Sequence, residues 1–144
     1  MLAKITLILL NSVVLSALGL FAWWSWLQPT DYITDMKYTL IRNSYVSGDK
    51  MIINRYHCIK RDIPPNSFFS RAFVNNEIHI LPNSNAARLK PVCEERSFFV
   101  DIPIGLGPGL YTYRVALIIE ANPIKTVKID LPDVKVYISN DRSK

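Results

Sequence analysis

Cysteine and histidine are the side chains of this 144-residue sequence with the most reactive chemistry, and there are two of each. An even number of cysteines in an exported segment favours one disulfide, between Cys58 and Cys93, and two free buried thiols remain the alternative. His57 directly precedes Cys58, but neighbouring residues on a strand point to opposite faces, so we expect no catalytic pair. Because neither CxxC nor paired-histidine spacing is present, we expect no metal site.

Other signals of catalysis or nucleic-acid binding are also missing from the sequence. It contains no Gly-rich phosphate loop, no GxSxG motif and no carboxylate pair on a defined scaffold. The net charge is +5, but acidic residues intervene between the scattered basic ones, and no recognition helix accompanies them. We therefore expect no enzymatic activity, no cofactor and no nucleic-acid partner. The expected partners are membrane lipid and other envelope or assembly proteins.

The first segment of the chain has the composition of a membrane span. Residues 5–27 contain no charged side chain, and as a helix they are long enough to cross about 30 Å of hydrocarbon. All three tryptophans, Trp23, Trp24 and Trp26, lie at the end of this run, and indole rings favour the headgroup boundary. We therefore predict a transmembrane signal anchor over residues 1–29.

A cleaved signal peptide is the alternative to an anchor. Lys4 supplies a short positive region, and the small residues up to Gly19 have cleavage spacing, but the apolar run continues past Gly19. Lys4 precedes the helix, whereas Asp31 and Asp35 follow it, and this bias predicts a cytoplasmic N-terminus. We expect the protein in the bacterial inner membrane, with residues 30–144 in the periplasm.

Polar and small residues of the span offer contacts to a partner helix. Ser12, Ser16 and Gly19 lie near one helical face. Asn11 is either tolerated in lipid or hydrogen-bonded to a partner. These four helix-packing positions matter most if the protein is a structural subunit of a larger assembly, in which the helix packs against other subunits instead of lipid.

Short runs of aromatic and β-branched residues, ending at Gly, Pro, Asn or Asp, make up residues 30–144. The predicted strands are residues 36–46, 50–60, 68–74, 77–81, 97–102, 110–120, 126–131 and 134–139. Alternation identifies core-facing stripes in three of them: Tyr111, Tyr113, Val115, Leu117 and Ile119; Phe98, Val100 and Ile102; Val134, Val136 and Ile138. With no amphipathic helix, the pattern predicts a mainly β domain, folded as an antiparallel Ig-like β-sandwich.

Three apolar residues are candidates for contact with a partner. Phe68 and Phe69 are consecutive, and two consecutive residues of a strand cannot both face one core. Leu106 lies in the apolar loop 104–109, which either contacts a partner or plugs the end of the sandwich. Tyr111 and Tyr113 are either ordinary core residues or part of a tyrosine corner, in which a hydroxyl bonds back to nearby backbone.

The chain resembles small single-pass membrane proteins of bacteriophage and prophage genomes, which have a helix ending in tryptophans and an exported Ig-like β domain. The resemblance spans nearly the whole chain and is carried by Trp23-Trp24, Val46-Ser47-Gly48-Asp49-Lys50, Cys58, Cys93, Ile102-Pro103, Gly109-Leu110-Tyr111 and Asn122-Pro123. It implies no activity and no site residues. The sequence thus predicts a membrane-anchored binding or scaffold protein. The alternative is a structural subunit of a virion or secretion-type complex, and the oligomeric state stays open.

Overall fold

The computed structural model of the protein describes residues 2–27, 30–87 and 89–139. Helix α1, Leu2–Ala22, continues into one π-helical turn, Trp23–Leu27, so the predicted apolar helix is confirmed. Ser12 Oγ donates to Leu9 O and Ser16 Oγ donates to Ser12 O, each at 2.8 Å. These hydroxyls are therefore satisfied inside the helix itself. Pro29, which follows the tryptophans, lies outside the described residues.

Strands make up most of the rest of the described chain, so the mainly β prediction is confirmed. The strands are β1 Ile33–Leu40, β2 Ser44–Val46, β3 Lys50–Ile59, β4 Phe68–Val74, β5 Ile78–Asn85, β6 Cys93–Asp101, β7 Gly109–Asn122, β8 Lys125–Asp130 and β9 Val134–Ser139. They form a three-stranded sheet, in the order β1-β3-β6, and a six-stranded sheet, in the order β2-β9-β7-β4-β5 with β8 paired to β7.

The segment predicted as one strand over residues 36–46 is two strands in two sheets. β1 pairs antiparallel with β3, whereas β2 pairs with β9 in the other sheet, and that pair is parallel. The expectation of a wholly antiparallel architecture is therefore wrong at β2. The chain crosses between the sheets at residues 41–43, and the short β2 covers the edge of β9, which otherwise would expose unpaired backbone groups.

Strands β5 and β6 extend furthest beyond their predicted bounds. β5 continues to Asn85 and β6 begins at Cys93, so much of the predicted loop 82–91 belongs to or abuts the sheets. Pro82 is tolerated inside β5 because β5 is an edge strand, where one face of the backbone needs no donor. The pairing of β6 with β3 is continuous from Cys93 to Asp101.

Both sheets contribute to one buried core. The predicted stripes of β7 and β9 are buried, and in the three-stranded sheet Met51, Ile53 and Val100 are fully or almost fully buried. Tyr111 Oη donates to Gly107 O at 3.1 Å, the upstream backbone bond that the tyrosine-corner interpretation predicts, while Tyr113 is a core residue. The described domain thus buries its apolar faces between its own sheets.

Candidate functional site

The N-terminal helix is the first candidate for a functional element. A 23-residue span, Lys4–Trp26, has a mean hydropathy of 2.2, and its most apolar stretch is wholly exposed. Trp23, Trp24 and Trp26 are exposed as well. This length and composition are typical of a membrane anchor or of a signal sequence, because both types of helix expose a continuous apolar surface to lipid.

The end of this helix contacts the domain at the hairpin between β7 and β8. Asn122 Nδ2 donates to Trp24 O at 2.8 Å, and Asn122 Oδ1 accepts the backbone N–H groups of Ile124 and Lys125. Asn122 therefore shapes the turn between β7 and β8 and bonds the tryptophan cluster as well. The exposed Ile124 side chain lies in the same turn.

The predicted helix-packing residues all lie on the exposed helix surface. Asn11, Ser12, Ser16 and Gly19 face no other part of the described chain, and a Cβ placed on Gly19 would meet no atom within 4 Å. No other helix or strand of the described chain packs against them. Their packing against a second helix stays a prediction.

The candidate partner contacts lie mostly inside the domain. Phe69 and Leu106 belong to the hydrophobic core, with exposed fractions of 7% and 3%, and Phe68 is half-buried. Phe69 and Leu106 therefore offer almost no surface to a protein partner. Large exposed apolar side chains near these positions are Phe99 and Ile104.

The predicted disulfide between Cys58 and Cys93 is present. The two residues are direct neighbours on β3 and β6, with their Cα atoms 4.0 Å apart, so the bond joins two strands of one sheet. Tyr56 Oη lies 3.1 Å from Cys58 Sγ on the same outward face. Because the bond links strands within a sheet, it holds the end of the β3–β6 ladder rather than the two sheets together.

His57 points away from this disulfide and into the core, as the alternation of side chains predicts. It is fully buried, and its Nε2 lies 3.3 Å from Glu94 Oε1. Burial lowers the pKa of His57, the positive charge of Arg55 lowers it further, and Glu94 opposes both effects. The imidazole is therefore biased toward its neutral form.

Two arginines occupy inward positions, where the strands otherwise carry apolar residues. Arg55 lies between the buried Ile53 and His57 on β3, and Arg71 lies between the buried Phe69 and Phe73 on β4. Because β3 and β4 belong to different sheets, the two side chains enter the space between the sheets from opposite sides.

A cavity of about 310 Å³ lies at these arginines. Its walls come from both sheets and include the edge strands β5 and β6. Twelve residues line it, and among these are three arginines, Arg55, Arg71 and Arg96, but no aspartate or glutamate. The site combines positive charge with the aromatic rings of Phe69, Phe98 and Phe99.

The guanidinium of Arg55 lies between two aromatic rings. Its Cζ is 5.5 Å from the ring centre of Phe69 and 5.3 Å from that of Phe98, both within cation–π range. Its Nε is buried and has no hydrogen-bond partner among the described residues. Stacking therefore orients the group but leaves a donor unused.

Arg71 and Tyr113 leave further donors unused in the same cavity. Arg71 Nη2 donates to Pro82 O at 2.7 Å, yet its Nε is buried without a partner in the described part of the chain. Tyr113 is fully buried, and its Oη interacts with the side chain of Arg71, which can only donate, so the proton of the hydroxyl has no described acceptor. Burial raises the pKa of Tyr113 to about 12, although the charges of Arg71 and Arg55 lower it, so its hydroxyl stays protonated.

Arg96 differs from the other two arginines because it has a carboxylate partner. Its Nε lies 2.8 Å from Glu94 Oε1.

Tyr38 adds a second hydroxyl to the cavity. Burial raises the pKa of Tyr38 well above its usual range, although the positive charge of Arg55, its cross-strand neighbour, lowers it. The cavity thus holds protonated hydroxyls beside two arginines whose charge no described carboxylate neutralises.

Sequence reasoning counted these arginines among scattered surface charges and did not find the cavity. A signal was present, since Arg71 follows Phe69 and precedes Phe73 at period two in a predicted strand. Among the described residues, no group of three His, Cys, Asp or Glu side chains lies close enough to hold a metal ion.

Comparison with known proteins yields a likeness of fold and no family. No protein-family model matches the chain, and no curated protein matches it. A Niemann-Pick type C2 protein from Japanese carpenter ant superimposes with a TM-score of 0.51 at 10% identity, over 74% of this chain and 91% of that one. The C-terminal domain of wzt has a TM-score of 0.48 at 11% identity, over 76% and 73%. At these identities the likeness concerns the fold alone.

Proposed function

We propose that the protein is a single-pass membrane-anchored binding or scaffold protein that presents its β domain on the far side of a bacterial inner membrane. One observation carries the proposal: the apolar span Lys4–Trp26 is exposed, whereas the domain closes its own core. An exposed surface of this size needs lipid or another protein to cover it. Tethering then raises the effective concentration of the domain for other envelope proteins.

The domain itself fits an Ig-like β-sandwich by its strand order. β1, β3 and β6 share one sheet, and β4, β7 and β9 share the other, as strands A, B, E and C, F, G do in immunoglobulin domains. The tyrosine corner at Tyr111 supports the same assignment. Two features depart from that pattern, since the disulfide lies within a sheet and all three tryptophans lie in the N-terminal segment.

Charge and redox chemistry support the orientation. Lys4 at the N-terminal end of the span and Asp31 and Asp35 after it favour a cytoplasmic N-terminus. A disulfide between Cys58 and Cys93 persists in an oxidising compartment such as the periplasm. Both arguments support a location of the domain outside the cytoplasm.

Membrane extraction and intact mass test the anchor together. The full chain, expressed in a bacterium, should stay in the membrane pellet after alkaline carbonate and should keep residues 1–19. A Leu10→Lys/Val14→Lys variant places two charges in the span, each costing about 3 kcal/mol on an insertion scale, and should leave the pellet. The matched Leu10→Ile/Val14→Ile variant should remain. A mature chain that begins after Gly19, or a wild type released by carbonate, would refute the anchor.

A reporter fusion tests the orientation independently. A phosphatase that is active only after periplasmic disulfide formation, fused after Lys144, should be active. Activity of a cytoplasm-only reporter at the same position would reverse the orientation.

A structural subunit of a larger assembly is the second candidate, favoured by the shared helical face of Ser12, Ser16 and Gly19. In that case the chain should sediment with a protein particle after the membranes are dissolved. A Gly19→Leu substitution should weaken this association, because a bulky side chain keeps helices apart. A lipid anchor should tolerate the same substitution and stay with the membranes.

A further inference from the structure

Buried N–H donors without partners call for an explanation, because a polar group that is removed from water without a hydrogen bond costs about 1–3 kcal/mol. Arg55 and Arg71 extend into the space between the sheets, and each has a buried Nε with no partner among the described residues. The fully buried Tyr113 interacts with Arg71, which only donates, so its hydroxyl adds a donor without a described acceptor to the same space. Three unused donors from three strands therefore converge on one cavity.

We propose that this cavity is a binding site for a small amphipathic anion, a single carboxylate or phosphate group attached to a compact apolar or aromatic body. Arg55 and Arg71 bind the oxyanion, and Tyr113 donates a hydrogen bond to it. The inference does not rest on the membrane anchor, so failure of the anchor experiment would leave it intact.

The charges of the residues that line the cavity indicate that the ligand carries an anionic group. Among the lining residues, Arg96 is the one arginine held by a described carboxylate, that of Glu94 at 2.8 Å. Arg55 and Arg71 have no such counter-ion in the described chain. Guanidinium groups match carboxylates and phosphates in both charge and planar donor geometry, so an oxyanion satisfies the unused N–H groups directly.

The aromatic rings that line the cavity indicate that the ligand has an apolar body. Phe69 and Phe98 flank the guanidinium of Arg55, and Phe99 completes the aromatic lining while remaining 63% exposed. Aromatic faces next to a cation give a planar ligand both stacking area and orientation. Ser84 and Asn85, on the edge strand β5, offer polar groups beside this aromatic wall.

The size of the cavity limits the ligand. A volume of about 310 Å³ stands at the lower end of small-molecule sites. It corresponds to roughly ten water molecules at about 30 Å³ each. A bicyclic aromatic acid fits this volume, whereas the two acyl chains of a phospholipid do not.

Calorimetric titration of the full-length protein in zwitterionic lipid nanodiscs tests the site. The probes are 2-naphthoate, its neutral isostere 2-naphthamide, and inorganic phosphate alone. We expect 2-naphthoate to bind at least about tenfold tighter than either control, as a charge-assisted hydrogen bond in a buried site provides. Equal affinity for naphthoate and naphthamide would overturn the proposal, because the arginines would then contribute nothing to binding.

Substitutions assign the binding to this cavity. Arg71→Gln and Arg55→Gln should each weaken 2-naphthoate binding about tenfold or more, and Tyr113→Phe should weaken it about threefold to tenfold. Arg114→Gln is the matched control, because Arg114 also lies on a strand but its side chain is 59% exposed and paired with Asp133 at 3.4 Å. An equal loss in Arg114→Gln would refute the site and indicate unspecific attraction to positive charge.

Conservative variants keep the test decisive if a glutamine variant does not fold. Arg71→Lys retains the charge without the planar fork and should lose part of the affinity, while Tyr113→Phe changes one oxygen only. Phenyl phosphate against octyl phosphate then separates a soluble metabolite from a single-chain lipid as the source of the anion. Tighter binding of phenyl phosphate supports the compact ligand, and tighter binding of octyl phosphate overturns that part of the proposal.

Discussion

Removing the disulfide should destabilise the domain mainly through its unfolded state. The bond between Cys58 and Cys93 closes a loop between residues 35 positions apart. In the Cys58→Ala/Cys93→Ala variant the two strands still pair along their ladder, and the bond lies on the outward face of the sheet. The native structure therefore changes little, whereas the unfolded chain gains the freedom of an open loop.

The magnitude follows from chain entropy. A loop of this length contributes about 4 kcal/mol to the free energy of unfolding at 25 °C. A domain of roughly 110 residues has an unfolding entropy of about 0.23 kcal/mol/K, so the melting temperature should fall by about 17 °C. That loss exceeds the effect of a typical surface substitution several-fold.

Circular dichroism of the full chain in detergent, recorded at a β-sheet wavelength during heating, measures this fall. Reductant should bring the wild type down to the melting temperature of the double-alanine variant and should leave the variant unchanged.

The matched control is Asn54→Ala/Ser97→Ala, which removes a non-covalent pair between the same two strands, where Ser97 Oγ donates to Asn54 Oδ1 at 2.7 Å. That control should cost about 1 kcal/mol. A loss below about 1 kcal/mol for the cysteine pair would refute the loop-closure reasoning.

Two further predictions concern acid stability and one loop. The lowered pKa of His57 means that the unfolded chain binds more protons, so the free energy of unfolding should fall as the pH drops below 6.5, by up to about 1.4 kcal/mol per pH unit. Denaturant titrations at several pH values should show this slope vanish in His57→Gln and persist in His79→Gln; an unchanged slope in His57→Gln would contradict the assignment. Gly105 has a φ of +94°, whereas Gly107 has an ordinary φ and open space around it. Gly105→Ala should therefore cost about 1–2 kcal/mol, and Gly107→Ala should change stability by less than about 1 kcal/mol in either direction, as measured by the same titrations. Equal losses would rule out backbone strain as the cause.

The local sequence pattern predicted the individual strands better than it predicted which strands pair with each other. The alternation of β7 and β9 identified core residues that are buried, because a period of two follows from the geometry of a single strand. The crossing at residues 41–43 contains no glycine or proline, and Asn43 is its only residue of a type that commonly ends a strand. β6 begins at Cys93 although the next two residues, Glu94 and Glu95, are poor strand formers, because pairing with β3 overrides their propensity.

The cavity at Arg55 and Arg71 could not be predicted from the pattern of any single strand. The sequence shows that Arg71 occupies a position that alternates with core-facing residues of its strand. A single inward arginine, however, is compatible with a side chain whose charged end reaches water. The meaning changes when Arg55, 16 positions earlier and in the other sheet, enters the same space beside the hydroxyl of Tyr113. Convergence of this kind depends on which faces the two sheets turn toward each other, and no single strand carries that information. An inward charge therefore becomes a candidate site only when a second unpaired polar group faces it across the core.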